Sequence, residues 1–343
     1  MKALRITQIG RPLEMVELPM PTPGSGEIVI RVEAAGICHS DAHYRNGTSR
    51  LRALPLTPGH EVAGTVAALG GGVDDLRIGE RVCVHYLRSC GRCAYCNRGL
   101  EQFCVEGRMI GKDCDGGYAE YLAIPARNAF RLPETIPFDQ GAVMMCSSST
   151  ALHALRKASL EPGETVAVFG LGGLGMSAVQ IALAFGARRV YGVDLDPAKL
   201  ELARSFGALP VDASEGDAAE LLLASTGGEG VDVSVELIGL PTTMRQAVGC
   251  LGVLGRAALA GIGGRPFEVD SYRGLIGKEA RIVGVSDHLA SEMPQLIALV
   301  ADGRLDLSRV VARRVGLDAG EVNRVLDDLE RYASPVRTVI QPA

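Results

Sequence analysis

The first 145 or so residues carry short apolar runs closely punctuated by Gly and Pro. Segments 27–33 (EIVIRVE), 61–67 (EVAGTVA) and 81–85 read as β-strands. PTPGSGE and LTPGHE read as the turns between them. From about Glu164 the pattern changes. Strands are expected at 165–169 (TVAVF), 189–193, 231–237, 256–260 and 280–285. Helices are expected at 174–185, 197–206 and 242–251, with Pro197 suited to a first helical turn. Continuously apolar strands alternating with helices indicate a parallel sheet covered on both faces. Beyond residue 285, segments 294–301 and 318–328 read as amphipathic helices and 335–340 as a last strand. The chain is therefore read as α/β, with a β-rich region ahead of the alternating one. No internal repeat and no low-complexity segment interrupts it.

Composition narrows the class. The 343 residues suffice for two domains. Hydrophobic residues at 47% and charged residues at 22% exclude wholesale disorder. A net charge of −5 argues against non-specific nucleic-acid binding. No apolar stretch approaches the roughly 18 residues of a membrane span. MKALRITQIGRPLEM holds no apolar core of a secretory signal. A cytoplasmic chain with reduced thiols is expected, so its nine cysteines point to metal ligands or core residues rather than disulfides. The 43 glycines exceed the roughly 24 of average usage, which directs attention to tight turns.

One such turn carries chemistry. Gly170-Leu171-Gly172-Gly173-Leu174-Gly175 follows the strand TVAVF and opens a helix, giving the spacing G-x-G-x-x-G. The first Gly permits the turn, the second admits a pyrophosphate close to the backbone, and the third lets helix and strand pack closely. Free N–H groups at the helix start favour phosphate there. Asp194 ends the next strand, where a carboxylate accepts from a ribose 2′-hydroxyl and repels a 2′-phosphate. NAD is thus expected over NADP, with Arg188 and Arg189 leaving some tolerance for the latter.

The cysteines divide by spacing. Cys90, Cys93, Cys96 and Cys104 form C-x2-C-x2-C-x7-C. Four thiolates this close can wrap a tetrahedral zinc, with an iron–sulfur cluster as chemical rival. Four protein ligands leave no open position, so that site is expected to be structural. A second group of metal-type residues is Cys38-His39-Ser40-Asp41-Ala42-His43, with His60-Glu61 after a Pro-rich turn and Cys146 in VMMCSSST. A catalytic zinc takes three protein ligands and keeps one position open, but spacing alone does not select the three. Cys83, Cys114 and Cys250 have no sequence partners and read as non-ligands.

In this order, the Cys38–Asp41 stretch, Gly59-His60-Glu61, the four-Cys lobe, the glycine turn and Asp194 resemble the zinc-dependent medium-chain alcohol dehydrogenases over essentially the whole chain. The resemblance implies a GroES-like catalytic domain at 1–147, with a zinc lobe at about 88–106. A Rossmann NAD-binding domain would follow at 148–284, and 285–343 would complete the catalytic domain. It implies reversible oxidation of a primary or secondary alcohol to an aldehyde or ketone, with NAD as hydride acceptor and two zinc ions per subunit. It selects Cys38, His60 and Cys146 as catalytic-zinc ligands, with Glu61 able to approach from behind and Asp41 orienting the His. Ser40 and His43 would relay the proton, and Tyr86 and Ser40 would line the substrate pocket. Thr150 would contact the nicotinamide, Lys199 would stand near the adenosine ribose, and Arg337 would pair with the pyrophosphate. A homodimer or homotetramer acting on a small molecule, with no nucleic-acid or membrane partner, is implied. Polyol and amino-alcohol dehydrogenases are the nearest alternative, although they commonly lack a thiolate at the position of Cys146. Ser147-Ser148, where many relatives have Ala-Gly, and Tyr86, where many have Trp or Phe, depart from the pattern and bear on the substrate.

Overall fold

The computed structural model describes residues 1–331 and 336–342, in two compact units. Unit one comprises Met1–Cys146, Leu289–Ala301 and Leu307–Ala343; unit two comprises Ser147–His288 and Asp302–Asp306. Residues 285–288 and Asp302–Asp306 therefore belong to unit two, not to the catalytic-domain completion expected at 285–343.

Unit one is built on a seven-stranded sheet. Its path runs Val311–Gly316, Arg337–Gln341, Glu27–Ile37, Glu61–Leu69, Arg81–Val84, Ala129–Arg131, and Tyr121–Pro125 pairs with Glu27–Ile37 off that path. Only the first pair is parallel. Ile28, Ile30, Val62, Val66, Val82 and Val84 pack into one core cluster, and the intervening Val29, Ala63 and Cys83 are buried as well, so these strands are covered on both faces. Of the final strand read at 335–340, Pro335 lies outside the described residues.

Unit two holds six parallel strands, Thr165–Phe169, Arg189–Asp194, Leu209–Asp212, Val231–Glu236, Leu251–Leu259 and Arg281–Gly284. Numbered along the chain, they lie in the order 3-2-1-4-5-6, the order of a dinucleotide-binding Rossmann sheet. All five residues of the first strand are buried, as a central strand covered on both faces requires.

Three elements escape the pattern reading, each for a physical reason. Leu209–Asp212 is short and contains Pro210, which cannot donate to a ladder and is tolerated because this strand is the sheet edge. The fifth strand begins at Leu251, not 256, because an irregular register between Val231 and Val233 of its neighbour absorbs the Gly-rich start. The helix His39–Asn46 has no apolar period. Its ends define it instead: the Asp41 carboxylate accepts the Cys38 N–H at 2.9 Å, and Gly47 closes it at φ 86°.

Candidate metal centres and dinucleotide turn

Strand pairing brings the first ligands together. Glu27–Ile37 ends directly before Cys38, and Glu61–Leu69 begins directly after His60. The two strands are antiparallel, with Gly36 opposite Glu61, so Cys38 and His60 emerge side by side. Cys146 comes from a π-helical turn, Met144–Ser148, a local widening frequent at functional sites. One donor atom from each of Cys38, His60, Glu61 and Cys146 lies within 4.8 Å of all the others, and all four residues are buried.

Asp41 organises this cluster. Its Oδ1 stands 3.3 Å from His60 Nδ1, outside good hydrogen-bond alignment, and receives the Gly59 N–H at 3.4 Å. Its Oδ2 accepts from the Tyr118 hydroxyl and the Cys38 N–H, both at 2.9 Å. With Nδ1 turned to a carboxylate, His60 presents Nε2, which is buried and has no partner. Tyr118 was not singled out from sequence, since the tyrosines of DGGYAEY follow no metal-ligand or catalytic spacing. The ring of Tyr86 stands edge-on to that of His60, with centroids 5.3 Å apart, and is 2% exposed.

The electrostatics suit a cation. The Cys146 thiol, hydrogen-bonded to Cys38, holds Cys38 well below the ordinary thiol range. The same contact and burial push Cys146 up, so the pair shares a proton. Burial pulls His60 down, but the charges of Asp41 and Cys38 outweigh it and raise it well above the usual value. Two sulfur donors, an unpartnered imidazole nitrogen and the unpartnered Glu61 Oε1 form a donor set that fits zinc.

Glu61 and Arg337 form a pair behind this cluster. Burial raises Glu61 to about 7, against the pull of the Arg337 guanidinium. Arg337 donates to Glu61 Oε2, and the two side chains are 5% and 0% exposed. Arg337, which the resemblance expects at the pyrophosphate, meets the Glu61 carboxylate in this structure, as a buried guanidinium requires, and its Nε has no partner. Gly36 makes room for this arrangement, as a Cβ there would lie 1.9 Å from Glu61 Oε2.

Ser40 and His43 sit on the helix that Cys38 caps, and both are half-buried. The Cys38 thiol lies 3.8 Å from Ser40 Oγ. His43 packs edge-on against His39, with centroids 4.7 Å apart.

The second cysteine group is also assembled. Sulfur atoms of Cys90, Cys93, Cys96 and Cys104 lie within 4.8 Å of one another, with 3.5 Å between Cys93 and Cys96 and 3.9 Å between Cys90 and Cys96. A tetrahedral zinc with Zn–S of about 2.3 Å spaces its sulfurs ~3.8 Å apart, so the geometry fits one ion. Backbone N–H groups of Cys96 and Val105 lower Cys93 to about 6, favouring the thiolate. Cys83 and Cys250 belong to neither group, and burial pushes each to about 12. All nine cysteines are free of disulfides.

In unit two the glycine turn has the form that its spacing predicts. Gly170 adopts φ +90°, and a Cβ on Gly175 would meet Gly170 O at 1.9 Å, so the helix Gly173–Ala184 packs as closely as only Gly permits. Gly172 caps that helix, and Leu174 follows in its first turn. Asp194 accepts the Leu171 N–H at 2.7 Å. Lys199 lies 4.0 Å from Asp196, half-buried, and Thr150 lies in the first turn of the helix Ser149–Lys157.

Comparison with known proteins agrees with this construction. The family model for an alcohol dehydrogenase GroES-like domain matches residues 24–134, and that for a zinc-binding dehydrogenase matches 173–302. The chain is 32% identical to an NAD-dependent alcohol dehydrogenase of Sulfurisphaera tokodaii, with all of both chains covered. It is 32% identical to a sorbitol dehydrogenase of Bacillus subtilis, covering 90% of this chain and 88% of that one. A zinc-binding dehydrogenase of Sinorhizobium meliloti 1021, solved bound to NADP, superposes with a TM-score of 0.90 at 31% identity, covering 99% of each chain. Among the described residues, no helix is long and apolar enough to cross a membrane. With both domain types, both cysteine groups and whole-length relatives in agreement, the chain belongs to the zinc-dependent medium-chain alcohol dehydrogenase family.

Proposed function

We propose that the protein interconverts a primary or secondary alcohol and its aldehyde or ketone, with NAD as partner in hydride transfer. The observation that carries this reading is the buried set Cys38, His60 and Cys146, whose unpartnered Nε2 and shared thiol proton suit a three-ligand zinc with one position open. Zinc bound there would supply Lewis acidity that lowers the pKa of an alcohol hydroxyl, and the nicotinamide would accept the hydride.

The chain's own residues do the rest. Asp41 fixes the His60 ring so that Nε2 faces the thiols. Ser40 Oγ, 3.8 Å from Cys38, stands where it can take the proton leaving the substrate. His43, three residues along the helix, passes that proton outward, a role for which imidazole is suited. Asp194 accepts from the adenosine ribose and selects NAD, while Thr150, Lys199 and the Gly170–Gly175 turn hold the dinucleotide. Tyr86 shapes the substrate side of His60. The four-Cys lobe holds a second, structural zinc. We place the protein in the cytoplasm as a homodimer or homotetramer. A thiolate at the third ligand position, Cys146, favours simple alcohols over polyols.

The test is a screen of NAD⁺ reduction by the zinc-loaded protein over primary, secondary, aromatic and polyol alcohols. NADH should form with at least one monohydric class and disappear in Cys38→Ala. Silence across all classes, with zinc and NAD⁺ both bound, would refute the reading.

A further inference from the structure

Cys146 does not stand on an ordinary helix. The π-helical turn Met144–Ser148 lies between the helices Phe138–Val143 and Ser149–Lys157. A π-turn is held by context rather than by intrinsic stability, so what anchors its far end sets the position of its middle residue. Ser148 supplies that anchor. It is fully buried, and its Oγ lies 2.8 Å from Oγ of Ser177, also fully buried.

The direction of this bond can be derived. A hydroxyl has one proton. Ser177 Oγ donates to Gly173 O at 3.0 Å, one turn back in its own helix. Its proton is then committed, so Ser148 donates to Ser177. The chain of bonds runs from Ser148 through Ser177 to Gly173, the first residue of the helix that opens at the glycine turn. Both serines belong to unit two, and Cys146 is the residue at which the chain leaves unit one.

We propose that Ser148 and Ser177 are positioning residues that couple dinucleotide binding at the glycine turn to the hold of Cys146 on a metal ion. The proposal rests on the functional reading above. A dinucleotide that orders Gly173 strengthens the Ser177–Ser148 bonds and stiffens the turn two residues from Cys146. Linkage makes the effect reciprocal: metal at Cys146 tightens the dinucleotide by the same factor. This tie belongs to a Ser at position 148, where the sequence departs from the Ala-Gly pattern of many relatives.

The experiment measures zinc loss to dipicolinate from the zinc-loaded protein, with and without saturating NADH, alongside the Kd for NADH. NADH should slow loss of the catalytic zinc at least about fivefold in the unmodified chain, the lower end of ordinary coupling. Ser148→Ala and Ser177→Ala should each cut the slowing to less than twofold, and the double variant should add nothing further. Ser148→Thr, which keeps the hydroxyl, should retain it and controls for loss of folding. Variants that bind NADH and retain the full slowing would overturn the tie alone. An unmodified chain that binds neither NADH nor catalytic zinc would overturn the functional reading and the tie together.

Discussion

Asp194 accepts the backbone N–H of Leu171 at 2.7 Å through one oxygen, and those of Leu195 and Asp196 at 2.8 and 3.0 Å through the other. The carboxylate expected to read the ribose therefore also holds the glycine turn in place. Asp194→Asn would set an amide against the Leu171 N–H and loosen that turn. Charged hydrogen bonds of this kind contribute about 1.5–3 kcal/mol, roughly ten- to hundredfold in affinity. Both NADH and NADPH should weaken, NADH by at least about tenfold and NADPH by less, since repulsion of its 2′-phosphate is relieved. Fluorescence titration of both nucleotides decides it; equal losses would exclude ribose recognition by Asp194.

The Glu61–Arg337 pair is buried on both sides. Removing one partner leaves an uncompensated charge, whereas replacing both does not. Arg337→Met should cost about 3–5 kcal/mol in urea unfolding of the zinc-loaded protein. Glu61→Gln with Arg337→Met should cost distinctly less than that single change. A double variant no more stable than Arg337→Met would show that the pair is not the relevant interaction.

The two cysteine groups should separate cleanly on metal analysis. Cys93→Ser should lose one zinc per chain and make the 88–106 segment sensitive to limited proteolysis. Cys38→Ala should lose the other zinc and abolish turnover, with the lobe still protected. Proteolysis resistance unchanged in Cys93→Ser would argue that the lobe does not depend on its ion.

Much of this was legible from spacing because the chemistry is local. Four cysteines within fifteen residues and six residues of glycine turn declare themselves without tertiary knowledge. Cys38, His60 and Cys146 are 22 and 86 residues apart, so only resemblance could group them before strand register did. The supports were not legible. Tyr118 meets Asp41 across 77 residues and Arg337 meets Glu61 across 276, and neither leaves a periodic or compositional trace. The helix bearing Ser40 and His43 was hidden for the opposite reason, because its caps define it rather than its apolar face.

The spare thiols give a pH dependence. Cys83 and Cys250 are buried among apolar groups, and burial raises both from the usual 9.0 to about 12. The unfolded chain loses these protons near pH 9 while the folded chain keeps them to about 12. The folded state thus binds more protons across that window, and stability must fall as pH rises through it. Their contribution is fully present below pH 9 and declines by up to ~1.4 kcal/mol per pH unit for each thiol above it. Cys83→Ala with Cys250→Ala removes both groups. Its urea stability, lower at pH 8 from lost packing, should decline less steeply between pH 9 and 11 than that of the unmodified chain. Parallel declines in the two proteins would show that these thiols ionise alike in the folded and unfolded states.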